Sequence, residues 1–139
     1  MRSILRKLCI LLISFLFVGN LYASEEEKEE EALEKEIGYI ELKPSIVSNL
    51  TGGPKYIRAD VQLKTDYASV IPDVELHTPA IRHAILMLIA SEDGKKLKSR
   101  DGKEKLRTDA LDAVRKILEE LTGKKTLVSD LYFTAYYVK

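Results

Sequence analysis

A run of strict alternation constrains this chain more than any other feature. From Lys55 to Tyr67 the pattern has period two. Ile57, Ala59, Val61 and Leu63 fall on one side, and Tyr56, Arg58, Asp60, Gln62 and Lys64 on the other. Successive strand side chains point to opposite faces, so this is a strand with one buried face. The stretch before it, Gly38–Leu50, reads as an earlier strand: Tyr39-Ile40-Glu41-Leu42, a break at Pro44, then Ile46-Val47. Thr51-Gly52-Gly53-Pro54 lies between them. Its glycines accept positive φ and its proline fixes the next φ, which is turn chemistry. The expectation is an antiparallel hairpin with one apolar face that something must cover.

The period changes at Ile71. Pro72 and Asp73 suit a first helical turn. Pro79 then interrupts, which predicts a kink, or a short helix followed by a longer one to Ser91. The longer piece is apolar nearly all round, from Ile81 through Ala84, Ile85, Leu86, Met87, Leu88, Ile89 and Ala90. Such a helix is expected to be covered on several sides. Glu92–Gly102 reads as a charged connector holding Lys95, Lys96, Lys98 and Arg100. Lys103–Thr122 has a clear amphipathic period through Leu106, Ala110, Ala113 or Val114, Ile117, Leu118 and Leu121. Gly123 is a natural stop, with Lys124 and Lys125 at the negative end of the dipole.

The chain closes on Leu127–Val138, rich in β-branched and aromatic residues. Unbroken alternation predicts Leu131, Phe133, Ala135 and Tyr137 on one face, and Tyr132, Thr134, Tyr136 and Val138 on the other. The order β-β-α-α-β defines a small α+β domain, its helices packed on an antiparallel sheet and its last strand returning to the hairpin.

Upstream of the domain, Arg2, Arg6 and Lys7 precede an apolar run from Leu8 to Val18. Ala23 then offers a small residue before the acidic Ser24–Glu36. Charged start, apolar run and small residue are the layout of an export signal, with cleavage expected after Ala23. A retained membrane anchor is the competing reading, with Arg6 and Lys7 snorkelling, although the run is short of a usual span. Both readings give the same topology. The division is therefore 1–23 signal peptide or N-terminal anchor, 24–36 acidic tether and 37–139 exported domain. The tether carries almost no apolar side chains and reads as solvated.

Charge and residue types limit the chemistry. Of 22 basic and 22 acidic residues, five basic and eight acidic precede Ile37, which leaves 17 and 14 in the domain. That excess is too small to indicate nucleic acid. Cys9, the single cysteine, lies in the apolar run, so no disulfide is expected in the exported part. His77 and His83 are six apart with Pro79 between them, which does not suit a metal pair. Neither a phosphate-binding loop nor a nucleophile elbow is found in the sequence. Asp109 and Asp112 read as a solvated helix face, and Tyr132, Tyr136 and Tyr137 as strand packing. The expectation is a protein without catalytic residues, cofactor or metal. The apolar surplus of the Ala80–Ala90 helix points instead to self-association through Leu86 and Met87, with Lys95, Lys96, Lys98 and Arg100 nearby. Complete coverage of that helix within one subunit is the competing reading.

Five blocks in order carry a family resemblance. They are Tyr39–Pro44, Lys55–Lys64, Pro79–Leu88, Gly102–Arg107 and Val128–Thr134. From Tyr39 to Lys139 the chain resembles the flagellar basal-body protein family FliL. The resemblance implies a non-enzymatic accessory at the inner membrane, with a periplasmic domain similar to the stomatin-type SPFH domain. It implies flagellar stator and basal-body partners, a homo-oligomer, and support of flagellar rotation and motility. The short apolar run departs from the fuller transmembrane helix of typical members. A periplasmic binding or chaperone-like module is the alternative function.

Overall fold

The computed structural model describes residues 34–139. The export segment and most of the acidic tether lie outside the described residues. Among the described residues no helix is long and apolar enough to cross a membrane.

Three antiparallel strands form one sheet, in the order β1 (Gly38–Asn49), β2 (Tyr56–Thr65), β3 (Asp130–Val138). The hairpin forms as its turn chemistry predicts. Gly52 and Gly53 both take φ of 60°, and Leu50 N–H reaches the Lys55 carbonyl at 2.8 Å. β1 continues past Pro44, and the break expected there is a cis Lys43–Pro44 peptide with a shift of register between Leu42 and Ile46. A proline lacks the ladder donor, and an irregular edge strand tolerates that. On β2 the alternation holds throughout, and Ile57, Ala59, Val61 and Leu63 are fully buried.

β3 does not follow simple alternation. Val61 pairs with Phe133, but Asp60 pairs with Ala135, so Thr134 is one residue too many. A bulge of this kind reverses the side-chain sense beyond it. Leu131 and Phe133 face the helices as expected. Past the bulge Tyr136 and Val138 pack against the core, and Ala135 and Tyr137 face outward. The predicted faces are therefore exchanged for the second half of the strand.

A single layer of helices covers the inner face. A short 3-10 turn, Ala68–Val70, leads into α1 (Ile71–Leu76) and then α2 (Thr78–Ala90), the short-then-long pair that Pro79 predicted. Next come α3 (Gly94–Leu97) and α4 (Arg100–Thr122). α2 lies over β1, α4 lies over β3, and the two long helices pack together. The core joins β2 to Ile81, Ile85 and Ile89 of α2 and to Leu106, Ala110, Val114 and Leu118 of α4.

Two helical expectations are corrected. The competing reading of complete coverage of α2 within one subunit is overturned: only its i, i+4 stripe is buried, while Leu86 is 36% and Met87 58% exposed. One sheet and one long neighbour meet a single face of it. On α4, Leu121 is 47% exposed, because it lies roughly 60° round the helix from the stripe that ends at Leu118.

The charged connector is also more ordered than its composition suggests. Asp93 caps α3 by accepting the Lys95 N–H at 2.8 Å, and Leu97 is 1% exposed in the core. Ser99 caps α4 by accepting the Gly102 N–H at 2.9 Å. Gly102 thus sits in the first turn of α4, and a Cβ there would fall 2.0 Å from the Lys96 carbonyl oxygen. Gly123 ends α4 in the left-handed region at φ 70°, as predicted.

Candidate docking surfaces

Among the open grooves of the described residues, two lie where an outer strand meets the helices, one at each edge of the sheet. The first lies between the β1 edge and α2. Val47, Leu50, Thr51, Leu86, Met87 and Ala90 are among its lining residues, and its volume is about 460 Å³. The second lies between the β3 edge and the α3–α4 junction. Leu97, Lys98, Ser99, Arg100, Lys103, Tyr136, Tyr137 and Val138 line it, with a volume of about 590 Å³.

The residues proposed from sequence are thereby divided. Leu86 and Met87 line the β1 groove, whereas Lys98 and Arg100 line the β3 groove. Lys95 and Lys96 stand exposed on α3 and line neither. Lys103 and Val138 join the β3 groove without having been singled out, and Tyr136 and Tyr137, read from the sequence as strand packing, line it as well. No local signal marks them, since their proximity depends on β3 returning beside the start of α4.

Fixed polar contacts hold both grooves. The Arg82 guanidinium donates to the Leu42 carbonyl at 3.3 Å and to the Pro44 carbonyl, tying α2 to the irregular part of β1. The Tyr136 hydroxyl donates to the Leu97 carbonyl at 2.9 Å, tying β3 to α3. Burial, and behind it the Glu92 charge, pushes the Tyr136 phenol up to about 12. The Lys103 ammonium lies 4.9 Å from the centre of that ring, a cation–π contact. Arg115 donates to the Val128 and Ser129 carbonyls at 3.0 and 2.9 Å, fixing the approach to β3.

Charge is distributed unevenly along β3. At its start Arg107 pairs with both Glu104 and Asp130. The Arg107 hydrogen bond holds the Glu104 carboxyl below its usual range. Burial raises Asp130, but the Leu131 N–H, the Tyr132 hydroxyl and Arg107 outweigh it and hold Asp130 low. At the other end the cations lack such partners. Among the described residues, none of Lys95, Lys96, Lys98, Arg100 and Lys103 lies within 4.0 Å of a carboxylate oxygen.

His77 sits half-buried at the α1–α2 junction and His83 is exposed on α2. Among the described residues no three His, Cys, Asp or Glu side chains gather as a metal site would need.

These features define a small α+β domain whose candidate surfaces are strand edges and open grooves. Comparison with known proteins says which kind. The family model described as flagellar basal body-associated protein FliL matches residues 39–138. A flagellar protein FliL from Aquifex aeolicus (strain VF5) is 28% identical over 107 residues, covering 75% of this chain and 63% of the relative. The chain thus spans somewhat less than two thirds of that relative's length. It belongs to the FliL family.

Proposed function

We propose that this chain is a non-enzymatic accessory of the flagellar basal body. It associates with motor and stator units and supports rotation and motility from the periplasmic side of the inner membrane. The observation that carries this reading is the family match over residues 39–138, which takes in the whole sheet except Gly38 and every helix. We read the three-stranded sheet with one helical layer as an arrangement of the stomatin-type SPFH kind. Residues 1–23 serve as the export signal, cut after Ala23, and residues 24–36 as the tether.

Self-association accompanies this role. Leu86 and Met87 are large apolar side chains left uncovered beside a strand edge, which is the setting in which a second subunit gains most from contact. The basic residues Lys95, Lys96, Lys98 and Arg100 belong to the same proposed surface only if the contact reaches around the hairpin end. Deleting the gene and measuring swimming speed and stator occupancy tests the role. Restoration by the wild-type chain supports it, and unchanged swimming without the chain overturns it. N-terminal sequencing of the exported chain checks the cut.

A further inference from the structure

We propose that the β3 groove receives an extended acidic polypeptide segment from a partner protein, which adds to the sheet as a fourth strand beside Tyr136 and Val138. This goes beyond the basal-body reading and holds whether or not the chain acts at the motor.

Backbone geometry is the first argument. β3 is an outer strand with β2 on one side only. Tyr56 and Lys139 exchange both backbone hydrogen bonds, each at 3.0 Å. Bonded and non-bonded pairs alternate along an antiparallel ladder, which places Tyr137 toward β2 and turns the N–H and C=O groups of Tyr136 and Val138 outward. Those groups have no backbone partner among the described residues. An open edge of this kind is a template for another strand.

The second argument is charge. Lys98, Arg100 and Lys103 line the groove and no carboxylate does. Carboxylates stand close by without lining it: Asp101 and Glu104 share an adjoining cavity with Arg100 and Lys103, and the Glu92 charge reaches Tyr136. Asp93 caps α3, and Glu104 pairs with Arg107. Asp101 is exposed in the first turn of α4 without lining the groove. The amino end of α4, a helix of 23 residues, opens at the same place and adds positive potential. Three cations that, among the described residues, have no carboxylate within 4.0 Å, beside open strand groups, fit an occupant that is both extended and acidic. A lipid headgroup would meet the charges but leave the strand edge unused.

The test uses the exported chain mixed with phosphatidylcholine nanodiscs. The probe is a 12-residue peptide alternating Glu and Val, with a Lys/Val peptide as control. Binding of the Glu/Val peptide, together with slowed amide exchange at Tyr136 and Val138, is the expected result. The triple change Lys98→Glu, Arg100→Glu, Lys103→Glu is expected to weaken binding roughly tenfold or more, since each is an exposed pair that salt screens. Val138→Pro removes the outward N–H together with a side chain packed on the core, and is expected to abolish the exchange protection at Tyr136. Should that variant misfold, the charge variant still decides. Absence of binding overturns the proposal, as does equal binding of the Lys/Val control. It is also overturned if phosphatidylglycerol nanodiscs shield Lys98–Lys103 while the peptide leaves the Tyr136 and Val138 amides unprotected.

Discussion

The β1 edge and the β3 edge belong to one sheet, yet the chain finishes them with different chemistry. Beside the end of β1 the exposed residues include large apolar ones, Val47 at 57%, Leu86 at 36% and Met87 at 58%, with the uncharged Asn49 and Thr51 between them. Beside β3 they are cationic: Lys98, Arg100 and Lys103, set around a half-buried tyrosine. The supporting helices differ as well. α2 carries apolar residues beyond the stripe it buries, while α4 buries a stripe from Leu106 to Leu118 beneath a charged outer face. An apolar edge gains from almost any covering surface. A cationic edge discriminates by charge and loses strength in salt. The difference is the ground for proposing self-contact at β1 and a charged partner at β3.

The sharpest way to break that comparison is a matched pair of substitutions. Leu97→Asp would place a carboxylate in the core beneath the β3 groove, and a destabilisation above about 4 kcal/mol is expected. Leu86→Asp on the β1 side is expected to change stability by about 1 kcal/mol or less and to remove self-association instead. Urea unfolding with light scattering reads both. If Leu86→Asp unfolds the chain as Leu97→Asp does, the β1 groove is core and not a contact surface.

A smaller effect sharpens the β3 side. Gly102→Ala puts a methyl group against the Lys96 carbonyl, so the α3–α4 junction must shift. A loss of roughly 1–3 kcal/mol is expected in urea unfolding. Little or no loss would show that the junction yields freely, and with it the rim formed by Lys98 and Arg100.

The smallest effect is a pH dependence. Tyr136 is raised from 10.0 to about 12, so the folded state keeps the proton longer than the unfolded one. Its contribution is complete below about pH 10 and is lost as pH rises toward about 12. Tyr136→Phe should remove that part of the alkaline loss and cost about 1 kcal/mol at neutral pH through the missing bond to the Leu97 carbonyl. Identical alkaline unfolding of the two proteins would mean that the phenol is not held under the α3–α4 junction.

Where a residue's surroundings are local, the sequence alone determined the outcome. Alternation determined which face of β2 is buried, because strand side chains alternate whatever they meet. Pro79 divided the first helical stretch, and Gly123 ended α4, because each acts on its own backbone. Leu86 and Met87 were visible as an apolar surplus on one helix. The tertiary structure decided everything that depends on a partner far along the chain. Leu97 was hidden in a run of lysines, and its burial follows from packing that no local pattern shows. Tyr136 and Val138 face the core because β3 pairs with β2 across more than 70 residues and bulges at Thr134 opposite Asp60. One extra residue in that pairing reverses every side chain beyond it, and the register that sets it exists only once the strands have met.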